Sequence, residues 1–144
     1  MSTPAYEVDF YLWATETARA LREGRLADVD LEHVAEEIED MGKKERRELA
    51  SRLTVVLVHL LKWRYQPARR SRSWRLTLVR QRQGLEPVLE ESPSLRGTLP
   101  EALARAYIRA RTRAETETGL PAETFPAACP FTAEQVLNVE FWPE

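Results

Sequence analysis

Between residues 63 and 75 the chain carries the side chains best suited to chemistry on a polyanion: Trp63, Arg64, Tyr65, Arg69, Arg70, Arg72, Trp74 and Arg75. Arginine forks match phosphate oxygens bidentately, and aromatic faces stack on unpaired bases. Such a surface would bind RNA or single-stranded DNA, with affinity falling steeply as salt rises. The same residues also fit a plainer role. Trp63 and Trp74 would then be core, and the arginines would lie in solvent or pair with acids elsewhere in the fold.

Arg52 and His59 are the candidates for catalysis. Seven residues make about two helical turns, so both fall on one helix face. Some helical ribonucleases carry an arginine and a histidine separated by four to six residues. There the arginine would stabilise phosphoryl charge while the histidine moves a proton. In the plainer role His59 borders an apolar stripe and bonds a carbonyl or a tyrosine.

The acids Glu32, Glu36 and Glu39 share roughly one helix face. Carboxylate metal sites in helical bundles add a Glu-x-x-His pair, which the sequence lacks. His33 and Glu37 make only a lone i, i+4 pair. No metal and no cofactor is therefore expected. Early acids favour the positive end of a helix dipole, and later ones can pair with Lys43, Lys44, Arg46 or Arg47. Cys129, between Ala128 and Pro130, suits a small buried hydrophobe. No Gly-rich phosphate loop and no Ser-His-Asp set is recognisable.

The elements that would position these groups read as helices. Helix one is expected over Asp9 to Glu23, with Asp9 as N-cap and Gly24 in the left-handed position that ends it. Phe10, Trp13, Thr17 and Leu21 set its stripe. Helix two is expected from Asp30 to about Tyr65. Its stripe of Leu31, Val34, Ile38, Met41, Leu49, Leu53, Val56 and Leu60 demands burial. Gly42 is its weak point, costing about 1 kcal/mol in a helix interior. Pro67 ends it. Helix three is expected to start on Ser73 and to kink or break near residues 83–87, where Pro87 takes a donor from the carbonyl of Gln83. Helix four is expected from Ser92-Pro93, or alternatively from Pro100, to about Thr118, closed by Gly119. The tail, residues 120–144, contains Pro121, Pro126, Pro130 and Pro143 and reads as irregular. Thr132 with Gln135 fits a capping box for one short helix. Phe125, Phe131, Phe141 and Trp142 should pin this tail across the bundle.

Bulk properties agree with one small domain. The chain has 144 residues, with 21 basic against 23 acidic side chains. That length buries a core without disulfide or metal. One cysteine excludes an internal disulfide and points to the cytoplasm. Residues 1–6 lack a signal-peptide pattern, and no apolar run approaches the length of a membrane span. Charge is segregated: seven acids and no Lys or Arg lie from Asp28 to Asp40, and eight bases and no acid from Lys62 to Arg82. Such asymmetry marks either a partner surface or a fold that neutralises itself.

Several short motifs recur together. They are Tyr6 with Asp9-Phe10 and Trp13, Glu36-Glu37-Ile38-Glu39 with Met41-Gly42, and Leu60-Leu61-Lys62-Trp63. Gln66-Pro67, Arg70-Ser71 with Ser73-Trp74, and Ser92-Pro93-Ser94-Leu95 follow. Thr118-Gly119-Leu120, Phe125-Pro126 and Cys129-Pro130 complete the set. In this combination the chain resembles the bacterial family called domain of unknown function 29, from about Ala5 onward. The resemblance implies an all-helical fold and brings no activity, cofactor or site residue. Gly84 and Pro87 depart from the helix formers usual in that family.

The expectation is thus a single all-α domain. An antiparallel bundle of four to five helices with a long second helix would occupy residues 5–119. A Pro-rich apolar strap with one short helix would occupy residues 120–144. For function, the expectation is a non-enzymatic interaction module that assembles with itself or with an unidentified protein partner. The alternative is nucleic-acid binding or weak nuclease action through residues 62–82. No association with a membrane is expected.

Overall fold

In a computed structural model that describes residues 6–144, every regular element is helical. The expected bundle start at Ala5 and the signal-free reading of residues 1–5 lie outside those residues. Helix α1 (Phe10–Arg22) begins where the Asp9 carboxylate accepts from the Leu12 amide at 2.9 Å. Gly24, at φ +75°, follows its end in the conformation that only glycine adopts without strain. Helix α2 (Leu31–Tyr65) starts on Asp30, whose carboxylate accepts from the His33 amide at 3.3 Å. It stops before Pro67.

Helix α3 (Arg72–Glu91) corrects the expected start. Ser71, not Ser73, is the cap, accepting from the Trp74 amide at 3.2 Å. Of the kink or break expected near residues 83–87, the break is absent, for α3 continues through Pro87. Pro87 and Gln83 are exposed, so water can meet the carbonyl that lost its donor. Leu85, Val88 and Leu89, all buried, hold the surrounding turns in place. The Ser92-Pro93 start becomes a 3-10 turn, Pro93–Thr98, and helix α4 (Leu99–Thr118) takes the later start around Pro100. Gly119, again at φ +75°, closes α4. Helix α5 (Ala133–Leu137) sits on the expected Thr132–Gln135 capping box.

The chain divides into two compact units, Met1–Lys44 and Glu45–Glu144. In the second unit, Leu49, Leu53, Val56 and Leu60 of α2 share one core with Leu78 and Leu85 of α3 and with Leu103, Ala106 and Ala110 of α4. Side-chain pairs give the directions. Arg75 lies over Trp63, and Arg52 donates to Gln81, so α2 and α3 run antiparallel. Lys62 pairs with Glu117 at 2.9 Å, which returns α4 antiparallel to α3. Phe125 and Phe131 are buried in this core, and Phe141 and Trp142 pack against it, so all four pin the strap as expected.

In the first unit, α1 buries Trp13, Thr17 and Ala20 and leaves Phe10 and Leu21 exposed. The expected burial of the whole α2 stripe is corrected here. Leu49 and Leu53 are 1% exposed, but Leu31 and Ile38 are 63% and Met41 65% exposed. The apolar spacing is continuous in sequence, but among the described residues only its later half, from Leu49 onward, is fully buried.

Candidate functional site

The basic-aromatic corner forms where α2 turns into α3. Trp63 is buried against Trp142 of the strap, with ring centroids 4.8 Å apart. The Arg75 guanidinium lies 5.4 Å from the Trp63 ring and 5.0 Å from that of Trp142. Arg70 lies 5.0 Å over Trp63, donates from Nε to the Trp63 carbonyl at 2.8 Å and reaches the Pro143 carbonyl at 3.4 Å. Trp74 is half-buried, with Lys62 over its ring. Arg64 sits over the Tyr65 ring, and Tyr65 meets Phe125 edge-on. Trp63, Arg70, Arg75 and Trp142 therefore act on one another. Arg64, Arg69 and Arg72 point to solvent, and among the described residues no carboxylate lies within ion-pair distance of them.

Arg52 and His59 keep different company. Arg52 donates to Glu48 at 3.1 Å and to Gln81 at 3.2 Å, and its guanidinium packs against Gly84. His59 is half-buried. Its Nδ1 donates to the Val55 carbonyl at 2.8 Å, which leaves Nε2 as the acceptor. Its charged neighbours are Lys62, Glu117 and Arg113. The arginine thus engages α3, while the histidine lies among charges of α2 and α4.

A Cβ placed on Gly84 would sit 2.2 Å from the Arg52 Nη1. Gly84→Ala should therefore gain about 1 kcal/mol of helix propensity only when the guanidinium is gone. In an Arg52→Ala background the substitution is expected to stabilise. In the wild-type background it should be neutral or destabilising. Denaturant unfolding of the four proteins in the cycle measures this, and equal shifts in both backgrounds would refute it.

In the first unit, Tyr6 stacks on His33 with centroids 4.3 Å apart and meets Trp13 edge-on at 4.9 Å. Its hydroxyl donates to the Glu37 carboxylate, which pushes its pKa up to about 12. His33 Nδ1 contacts Asp30 at 2.5 Å, and Nε2 lies 3.3 Å from Glu7. Beside this cluster Leu31, Ile38 and Met41 stand exposed on α2, and Gly42 follows them with nothing within 4 Å of a Cβ built there. Among the described residues no group of three His, Cys, Asp or Glu side chains could hold a metal ion. Nor is any helix long and apolar enough to cross a membrane.

A family model described as domain of unknown function DUF29 matches residues 5–142. The chain belongs to the DUF29 family. No curated protein and no solved structure matches it. The DUF29 match takes in both the Tyr6–His33–Glu37 cluster and the strap as far as Trp142.

Sequence reasoning missed the residue that does most to hold the strap of this DUF29 chain. Arg82 is 3% exposed and has no carboxylate partner among the described residues. It donates to the carbonyls of Val136 at 2.9 Å, Phe141 at 2.9 Å and Gln135 at 3.1 Å. Burial lowers its pKa to about 10. Arg111 does the same further up, reaching the Ala122 carbonyl at 2.9 Å and that of Phe125 at 3.3 Å. An irregular strap leaves carbonyls without helical donors, and the arginine fork supplies several at once. The only sequence signal was a basic residue at a core-facing position of α3, three residues before Leu85.

The two histidines of this DUF29 protein should titrate on opposite sides of the ordinary 6.5. The Asp30 hydrogen bond raises His33. Burial lowers His59 despite its bond to Val55. His33 then contributes stability that is complete below 6.5 and lost as pH rises through its raised value. His59 acts oppositely, because the unfolded chain takes its proton first as pH falls below 6.5, and stability declines there. An NMR titration of the imidazole protons checks the order. Two coincident midpoints would contradict it.

Proposed function

We propose that this DUF29 protein is a non-enzymatic interaction module that docks through the exposed half of its long helix. The observation that carries the reading is the contrast along α2: the apolar stripe is covered from Leu49 onward, yet Leu31, Ile38 and Met41 remain exposed. Contiguous exposed apolar surface rimmed by charge is characteristic of protein contact sites. The rim here is Glu36, Glu39 and Asp40 on one side of Met41 and Lys43 and Lys44 on the other. The Tyr6–Trp13–His33 cluster supports the reading further, because it fastens α1 to the same helix while leaving that stripe uncovered. The test is affinity purification of wild type and Ile38→Glu from the native host. Proteins held by the wild type and lost by the variant are the expected result. An identical set for both would reject the reading.

A second reading, binding of RNA or single-stranded DNA, rests on Arg64, Arg69 and Arg72. These are exposed and lack carboxylate partners among the described residues. Against it, Trp63 is packed and Arg70 and Arg75 are engaged within the fold, so the stacking platform is largely occupied. A gel-shift across a salt series decides it. Binding at low salt that Arg69→Ala and Arg72→Ala weaken would favour this reading, and no binding would remove it.

A further inference from the structure

Building on the docking reading, we propose that the occupant of the exposed α2 stripe is a second copy of this chain, packed antiparallel with the helices crossing near Ile38 and Gly42. Leu31, Val34, Ile38 and Met41 are spaced three, four and three residues apart, which is the seam of a two-stranded coiled coil. Beyond Met41 the seam positions fall to Glu45 and Glu48, so the apolar contact is a short one centred on Ile38 and Gly42, flanked by charge.

Gly42 fixes the crossing. A glycine inside a helix costs about 1 kcal/mol relative to alanine, and nothing in the described chain lies near enough to require one. Ile38 and Gly42 are one turn apart and share the exposed face. In an antiparallel pair crossing there, Ile38 of one copy fills the notch over Gly42 of the other. The two-fold axis repeats the contact, as an isologous interface requires.

Charge order fixes the direction. Asp30, Glu32, Glu36 and Glu37 precede the crossing, Glu39 and Asp40 lie within it, and Lys43, Lys44, Arg46 and Arg47 outnumber Glu45 and Glu48 beyond it. Antiparallel pairing lays the acidic turns of one copy along the basic turns of the other. Parallel pairing would set acids on acids and bases on bases, which is destabilising.

The test is light scattering coupled to size exclusion on the full chain over a concentration and salt series. The expected mass is twice the 16.6 kDa of the monomer at low salt, shifting toward the monomer as salt rises. Ile38→Glu should be monomeric with unchanged circular dichroism, because the side chain is exposed in the single copy. Gly42→Ala is the more discriminating variant. It should raise helix stability yet weaken the dimer about tenfold, because the added methyl fills the notch. A monomer at every concentration would overturn the proposal, as would a dimer that tightens with salt or one that Ile38→Glu leaves intact. If the chain is monomeric but Ile38→Glu still loses captured host proteins, the second copy is the wrong occupant and the docking reading survives. If capture is also unchanged, both fall.

Discussion

Replacing Arg82 by alanine is expected to destabilise the second unit by about 3–5 kcal/mol, the largest effect of any polar substitution in the chain. Three carbonyls, those of Gln135, Val136 and Phe141, would lose their donor in a place where Arg82 itself is 3% exposed. Each unpaired buried acceptor costs about 1–3 kcal/mol, so the strap would lift to reach water rather than stay unsatisfied. Lifting would uncover the Trp142 ring, against which Arg75 and Trp63 now pack. Arg82→Met keeps the apolar stem and should recover only the packing part of the loss. Urea unfolding followed by tryptophan fluorescence, with limited proteolysis of residues 138–144, reads both consequences. An Arg82→Ala protein with an unchanged midpoint and an uncut tail would refute the role given to this arginine.

The second large effect is in the apolar core. Leu53→Ala and Leu60→Ala should each cost about 2–5 kcal/mol, since both side chains are buried and α3 and α4 hold the walls of any cavity apart. Ile38→Ala, on the same sequence stripe, should cost no more than about 0.5 kcal/mol because its side chain already meets solvent. The comparison separates the part of the stripe that builds the fold from the part left for a partner. Equal losses at residues 38 and 53 would mean that the exposed half is covered within the chain.

The helix ends were readable because their chemistry is local. Asp9, Asp30 and Thr132 accept from amides within three residues, and Gly24 and Gly119 take the positive φ that end positions need. Ser71 and Ser73 are two hydroxyls two residues apart, and sequence spacing cannot choose between them. The α2 stripe showed a face that must be covered, but periodicity carries no information about which chain covers it. Gly84 and Pro87 together read as a kink or a break. In the fold, Gly84 makes room for the Arg52 guanidinium and Pro87 lies where water serves the freed carbonyl. Arg82 was not legible because its acceptors are backbone carbonyls some fifty residues away, which leave no mark in side-chain spacing. The corner at Trp63 was legible as a cluster but not as a latch, because Trp142 approaches it from the other end of the chain.

The claim that half of α2 is a docking surface is tested most directly by measuring association and unfolding on the same Ile38→Glu protein. Association should be lost while helix content, and the urea midpoint measured at concentrations where the wild type is itself monomeric, stay at wild-type values. Undiminished association, or a collapse of the fold when this one exposed side chain is changed, would contradict it.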